Sequence, residues 1–370
     1  MIRTITWTLL FALLLDVTIN IILSLPYVKN GNSTLKQLTV YFEYGRSVEG
    51  KLLEMIGDSD TTARNIAKAG WFKPEEINPE PSEKSPSSTN IYIYGMSFSA
   101  HIGEILSEMD DSLNVKMYGG PGAPLNHSYA YYSLTRHQHE EGDIVIIGLL
   151  ASALPRLNTM THMTKNWEAP APHFYPRYRI GDDNEISENS IDIQSLEELR
   201  AIIENEAAWE KVKEELEEND SFYDPIIFEE DILDLSVYGR LLKRAWAQKS
   251  INAKTGQYHS SEGFSNQDGT LDVARKLVAD FADNVLADKA NPYLILFNDR
   301  LYHDHLYAAL EPVLTSKKIP HYSTHHRFPA TDLSNFIPDG HFTPEIDRSV
   351  AASVYQDLMT VIDVSDNTRH

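Results

Sequence analysis

Three side chains in this sequence are of the types that a nucleophilic serine site needs. Ser97 lies in the segment Gly95–Ser99, directly after the apolar run Ile91–Tyr94, while Asp339 and His341 lie two positions apart near the other end of the sequence. A histidine can accept the proton of a serine hydroxyl, and a carboxylate can orient the imidazole and stabilise the imidazolium. These residue types are suited to acyl transfer, with Ser97 as nucleophile, His341 as base and Asp339 as orienting acid.

Each of these residues also has a simpler interpretation. Ser97 can be a polar turn residue or an N-cap, because serine favours both positions. Asp339 and Gly340 form a common turn pair, and His341 can be an ordinary surface histidine. Their immediate surroundings in the sequence leave both interpretations open.

The elements that position these residues alternate between strand and helix patterns. Short apolar runs predict five strands, at Ile91–Tyr94, Val115–Tyr118, Asp143–Leu149, Pro292–Phe297 and Ile319–Tyr322. Helical spacing predicts intervening helices at Ala100–Leu106, Asn126–His137, Tyr302–Leu314 and Pro344–Ile362. Such alternation predicts an α/β fold with a five-stranded parallel sheet between two helical layers. Ligands of such sheets bind beyond the carboxyl ends of the strands, which is where Ser97 falls.

A helical insertion at about residues 155–290 interrupts this alternation. Apolar residues recur at helical spacing in three stretches, Ser195–Leu216, Leu233–Trp246 and Leu271–Val285, and we interpret them as packing faces. Between Asp182 and Asp231 there are nineteen acidic side chains and three basic ones. We expect that acidic surface to be solvated.

The N-terminal region predicts a membrane attachment. Ile5–Leu25 is apolar apart from a few polar side chains, including Asp16 and Asn20, and about 20 such residues suffice to cross a bilayer. We interpret residues 1–28 as an uncleaved transmembrane signal-anchor and residues 29–88 as a stem and linker, with helices over Ser33–Ile56 and near residues 61–69 and a Pro- and Ser-rich linker at 79–88. Residues 89–370 are interpreted as the α/β domain. Asp16 and Asn20 are four positions apart, so they can share one helix face. The alternative is a cleaved signal peptide and a secreted protein.

Composition excludes several classes of function. The 370 residues include 32 Lys and Arg against 54 Asp and Glu, a net charge of −22, which argues against a nucleic-acid partner. There is no cysteine, so disulfides, thiol catalysis and cysteine-ligated zinc are excluded. Five histidines between His303 and His326 suggest a metal site only weakly, because none has the His-Glu-x-x-His spacing. No cofactor is predicted.

The order of the motifs resembles that of the SGNH, or GDSL-type, hydrolase family. The family's first block, a glycine and a serine after strand one, is similar to Gly95–Ser99. Its second block, a glycine loop after strand two, is similar to Gly119–Gly122, and its last block, an Asp shortly before a His and the final helix, is similar to Asp339–His341. The resemblance extends from about residue 90 to the end, apart from the insertion, and implies a flavodoxin-like, three-layer fold.

By that resemblance, Ser97, His341 and Asp339 form the catalytic triad, and the N–H groups of Ser97 and Gly122 bind the oxyanion. Met96 replaces the usual acid before the serine, at a position outside the chemistry. Ser152 stands where the family has an asparagine that completes the oxyanion hole, and losing such a donor costs roughly 100- to 1,000-fold in rate.

The resemblance implies an esterase that acts on an acylated small molecule or glycan. The acyl group can go to water, or to a sugar hydroxyl as in an acyltransferase. The predicted anchor favours an envelope carbohydrate on the extracytoplasmic side. The alternative is a catalytically impaired protein that keeps the fold and acts in glycan binding or polysaccharide assembly. The oligomeric state is not predicted.

Overall fold

The structure is a computed structural model that describes residues 1–25, 34–57, 66, 68–79 and 89–367. Its contacts divide the chain into two compact units. The first unit comprises Met1–Ala69, Thr161–His173 and Leu196–Lys254, and the second comprises Gly70–Met160, Phe174–Ser195 and Thr255–His370. The residues of the predicted insertion are therefore divided between the two units.

Nine strands lie in the described part of the chain. They are β1 Thr89–Gly95, β2 Leu113–Gly119, β3 Ile144–Leu150, β4 Arg177–Ile180, β5 Ile186–Asn189, β6 His259–Ser260, β7 Gly263–Phe264, β8 Asn291–Phe297 and β9 His321–Ser323.

The α-helices are α1 Ile2–Ser24, α2 Thr34–Glu43, α3 Val48–Gly57, α4 Pro74–Ile77, α5 Ser97–Met109, α6 Leu125–Thr135, α7 Leu196–Ile203, α8 Glu206–Asn219, α9 Pro225–Phe228, α10 Val237–Tyr258, α11 Thr270–Ala287, α12 His305–Lys317 and α13 Pro344–Asn367. Short 3₁₀ turns include Ala151–Asn158 after β3 and Ile232–Leu235 before α10.

Five strands of the second unit form one parallel sheet in the order β2-β1-β3-β8-β9. Counted along the chain, this order is 2-1-3-4-5, the flavodoxin-like arrangement. The prediction of an α/β fold with a five-stranded parallel sheet is therefore confirmed. Gly95 is paired with Gly119, and Leu150 with Phe297, so the loops that follow β1, β2, β3 and β8 leave the sheet at one edge.

The central strands are apolar because helices cover both faces of the sheet. β3 is buried along almost its whole length. One face packs against α6, α11 and α12, and the other packs against α5 and α13. On the second of these faces, α5, which begins at Ser97, therefore lies beside α13, which follows His341.

Several element boundaries differ from the sequence-based expectation. α5 begins at Ser97 and not at Ala100, with Met96 as its N-cap. The expected single helix over Ser195–Leu216 is two helices, because the Asn205 side chain accepts the N–H of Ala208 and starts α8. The hairpin of β4 and β5 was not predicted.

The expected stem helix over Ser33–Ile56 is also divided, into α2 and α3. The Ser47 hydroxyl accepts the N–H of Gly50 at 3.0 Å, and the Ser47 N–H donates to the buried Asp234 carboxylate at 2.9 Å. These bonds fix a new helix start within the predicted one. Most of the expected helix near residues 61–69 and of the linker at 79–88 lies outside the described residues, as do the domain boundaries at 28 and 88.

The predicted membrane segment is a helix. Ile2–Leu23, within α1, is long and apolar enough to cross a bilayer. Asn20 Nδ2 lies 3.4 Å from Asp16 Oδ2, so these two polar residues share one face, as their spacing predicts.

Candidate active site

The serine of the predicted triad occupies the first turn of α5. Ser97 is partly exposed, and its Oγ lies 2.6 Å from His341 Nε2 although 244 positions separate the two residues. The first N–H groups of a helix have no partner within that helix, so they are available to a developing anion at this place.

Two glycines allow the start of α5 to approach the sheet. The buried Ser99 hydroxyl lies between the ends of β1 and β3, and a Cβ on Gly95 would come within 2.2 Å of Ser99 Oγ. On the other side, a Cβ on Gly148 would come within 2.0 Å of the same atom. Ser99 thus anchors the helix against the sheet, two residues after the proposed nucleophile.

His341 is supported from both sides. Phe98, next to the serine, stacks on the imidazole with ring centroids 4.9 Å apart. Asp339 Oδ1 lies 3.1 Å from His341 Nδ1 and accepts the His341 backbone N–H at 3.1 Å. These bonds lower the pKa of Asp339, so the carboxylate stays ionised. Ser97, His341 and Asp339 therefore form a continuous hydrogen-bonded series.

The loop after β2 brings Gly122 against an arginine. Gly122 has φ +52°, in the region that favours glycine, and Arg156 Nη1 donates to its carbonyl oxygen at 2.5 Å. Desolvation lowers the pKa of Arg156. A buried guanidinium is thus fixed at the loop that is predicted to supply an oxyanion donor.

The loop after β3 places Ser152 beside a carboxylate. The Ser152 N–H donates to Asp299 Oδ1 at 3.1 Å, two residues beyond the paired ends of β3 and β8. An oxyanion would therefore develop near a loop that carries Asp299. An oxyanion hole made of neutral donors alone would have no such carboxylate nearby.

A second histidine–carboxylate pair lies next to His341. The His101 and His341 rings are 5.4 Å apart, and His101 Nδ1 lies 3.1 Å from Asp347 Oδ2. Burial raises the pKa of Asp347, and attraction to His101 and His341 opposes that rise. α5 and α13 thus contribute an additional carboxylate behind the proposed base.

Sequence reasoning did not identify Arg156, His101, Asp299 or Asp347. Arg156 follows Ser152 by four positions in the turn after β3, and that proximity was an available signal. His101 is one turn of helix beyond Ser97, and Asp347 lies in the first turn of α13, which were also available signals. No local pattern links Asp299 to Ser152.

The other candidate groups do not join this site. His303, His305, His321, His325 and His326 were weighed as a metal cluster, and the described residues contain no group of three or more His, Asp or Glu side chains arranged to hold a metal ion. The aromatic and basic residues at 173–179 suit either a lid over the site or a packed crossover. Among them, His173, Phe174, Tyr175 and Arg177 are buried, as in a packed crossover.

No protein-family model, curated protein or solved structure matches this chain. The resemblance to SGNH hydrolases stays a prediction from the motifs.

Proposed function

We propose that this protein is an SGNH-type serine esterase that removes or transfers O-acyl groups. The observation that carries the proposal is the hydrogen-bonded series from Ser97 Oγ through His341 to Asp339, at 2.6 and 3.1 Å, at the edge of the parallel sheet where ligand sites occur. Neither a turn serine nor a surface histidine requires a partner 244 positions away.

The proposed reaction begins with attack of Ser97 Oγ on the ester carbonyl carbon while His341 Nε2 takes the hydroxyl proton. The carbonyl π electrons move to oxygen, and the N–H groups of Ser97 and Gly122 donate to that anion. As the carbonyl re-forms, the C–O bond to the leaving alcohol breaks, and His341 returns its proton to that oxygen. Asp339 stabilises the imidazolium between the two transfers.

The Ser97 acyl-enzyme is then resolved by a second nucleophile. His341 removes a proton from water, which attacks the acyl carbon. The C–O bond to Ser97 then breaks, the acid is released, and His341 returns the proton to Ser97 Oγ. A sugar hydroxyl can take the place of water, in which case the product is a new ester. Product analysis with and without a polysaccharide acceptor distinguishes a hydrolase from an acyltransferase.

A second candidate function is a protein that keeps the fold, has little catalytic activity and acts in glycan binding or assembly. Two features favour it: Ser152 stands at the expected asparagine position, and its N–H is directed to the Asp299 carboxylate. Replacing Ser152 with Asn discriminates between the two candidates. A large gain in turnover supports the impaired protein, whereas a loss indicates that Ser152 is the working donor.

We further propose that the substrate is an envelope or cell-surface carbohydrate on the extracytoplasmic side. A domain attached through α1 would meet such polymers at the membrane surface. The acidic segment from Asp182 to Asp231 would repel strongly anionic chains near neutral pH. Neutral or weakly charged acylated glycans are therefore the first substrates to assay.

The deciding experiment is labelling of the full chain, in detergent or nanodiscs, with a fluorophosphonate probe. We expect labelling that disappears in Ser97→Ala. Ser107→Ala is the matched control, because that serine is exposed on the same helix, ten positions after Ser97. Labelling that persists in Ser97→Ala would reject this nucleophile.

A further inference from the structure

Helix α10, which lies in the first unit as far as Lys254, exposes several of the apolar residues that the sequence predicted to form a packing face. Leu242 and Trp246 are 66% and 44% exposed, and Tyr238 lies on the same face one turn earlier. Ile232 and Leu235, in the preceding 3₁₀ turn, are 79% and 73% exposed. We call these five residues the apolar stripe.

Three charged residues in the first half of the same helix, Arg240, Lys243 and Arg244, face inward, whereas Lys249 is exposed. Arg240 pairs with Glu43, and Arg244 Nε lies 2.9 Å from Glu168. Lys243 is buried and lies 3.1 Å from Asp234 Oδ2. A surface helix in water normally has the opposite arrangement, with its apolar face toward the core. The inward side of α10 therefore contacts the rest of the unit through paired charged side chains, and the apolar stripe lies on the outer side.

The beginning of α10 is attached to α1. Asp16 Oδ1 accepts hydrogen bonds from the Ser236 hydroxyl at 3.0 Å and from the Tyr238 N–H at 3.1 Å. Leu23 packs against Val237. Asp16 is a costly residue within the apolar helix α1. Its hydrogen-bond partners lie at the start of α10, the helix that carries the apolar stripe.

The length of α1 fixes the depth of this contact. Ile2–Leu23 measures about 33 Å at 1.5 Å per residue, little more than the roughly 30 Å hydrocarbon core. Asp16 lies seven residues before Leu23, about 10 Å along the axis. If α1 spans a bilayer, Ser236 and Tyr238 lie at the depth of its outer region, and so does Leu235, which directly precedes Ser236.

We propose that the apolar stripe is immersed in the outer leaflet and that its partner is the lipid bilayer. Leucine and isoleucine side chains suit the acyl region, and tyrosine and tryptophan favour the membrane interface. Trp246 meets this requirement, because its ring is half-exposed while its Nε1–H donates to Asp224. The inference rests on the membrane anchorage proposed above and is independent of the esterase chemistry.

The absence of cysteine makes a direct test possible in the full chain. Single cysteines replace Leu242 in the stripe, Gln248 on another exposed side of α10, and Leu13 on the exposed surface of α1. Each variant receives a nitroxide spin label after reconstitution into phosphatidylcholine vesicles. Collisions with oxygen, which concentrates in lipid, and with a water-soluble nickel chelate are then measured, and circular dichroism verifies that each variant is folded.

We expect the labels at 242 and 13 to collide with oxygen and to be shielded from nickel, and the label at 248 to collide with nickel. A label at 242 that is open to nickel would show that the stripe is in water. A label at 242 shielded from both reagents would show that protein covers it. Either result overturns the proposal. A label at 13 open to nickel would reject the anchorage and the stripe together, while labelling of Ser97 by the fluorophosphonate would still test the esterase separately.

Discussion

Asp339 is the most exposed member of the series, with 63% of its side-chain surface open to solvent. An exposed ion pair contributes far less to stability than a desolvated one. The carboxylate therefore orients His341 through its two hydrogen bonds more than it stabilises charge. Its lowered pKa keeps it ionised through the neutral range.

We expect Asp339→Asn to lower kcat/KM by about tenfold, less than the roughly 10⁴-fold cost of replacing a buried triad aspartate. Measuring kcat/KM for both proteins at pH 7, where the Asp339 carboxylate is ionised, tests this. A loss as large as that of Ser97→Ala would contradict the orienting role.

Replacing Gly122 should show whether the loop after β2 contributes to activity as well as to stability. Its left-handed φ already disfavours any other residue, and an added Cβ would lie 2.2 Å from Arg156 Nη1. We expect Gly122→Ala to reduce kcat at least 100-fold because it displaces both the guanidinium and an oxyanion donor.

Gly269→Ala is the matched control for this prediction. Gly269 also has a positive φ, +71°, but no atom lies within 4 Å of an added Cβ. Gly269→Ala should lower the free energy of unfolding by on the order of 1 kcal/mol without changing kcat. Thermal melts and turnover numbers of the two variants give the comparison, and equal kcat values would reject a role for the Gly122 loop.

Local sequence was sufficient to select Ser97, Asp339 and His341 as candidates, because a serine after a buried strand and a histidine before a helix are short-range patterns. It was not sufficient for Arg156, Asp299, His101 and Asp347. Their contacts depend on which loops meet at the sheet edge and on how α5 packs against α13. Such contacts join distant positions, so no spacing rule in the sequence reports them.

At the scale of elements, the contact between α5 and α13 places a buried carboxylate behind the proposed base. Asp347 Oδ2 is bonded to His101, whereas Asp347 Oδ1 is buried and has no hydrogen-bond partner. A buried carboxylate with an unsatisfied oxygen destabilises the folded protein. Its attraction to His341 would stabilise the imidazolium of the proposed reaction.

Asp347→Asn should therefore increase stability and decrease activity. A carboxyl whose pKa is raised in the folded state weakens the fold once the unfolded chain ionises, so the variant's advantage in Tm should be present at pH 7 and absent near about pH 3. Loss of the charge beside His341 should lower kcat several-fold. Melting curves at both pH values and kcat at pH 7 test the two effects, and a lower Tm at pH 7 would contradict the first.

The five strands of the parallel sheet were predicted to within two residues at every end, because strands covered on both faces are apolar almost throughout. Helix starts were harder to predict, since they depend on side-chain caps. Ser47 and Asn205 each begin a helix inside a longer apolar pattern, and periodicity alone cannot detect that. The β4–β5 hairpin was missed because its residues are mostly polar or charged.

At the scale of the whole molecule, α1 predicts that the protein stays with the membrane. We expect the full chain to sediment with membranes, to resist extraction by carbonate and to retain its N-terminal residues on sequencing. The physical reason is that 22 residues of α1 expose an apolar surface, which a helix of a soluble protein would bury. A mature protein that begins near residue 27 and is found in the soluble fraction would reject the anchor and leave the Ser97 assignment intact.

The 244 positions between Ser97 and His341 also have a consequence for biosynthesis. The ribosome makes the proposed nucleophile early, but the proposed base is added only after β8, β9 and α12 have been synthesised. A partly made chain therefore carries a serine without its histidine partner, and so does a chain cut short before residue 341. Any activity of the proposed site would begin only once translation has passed residue 341.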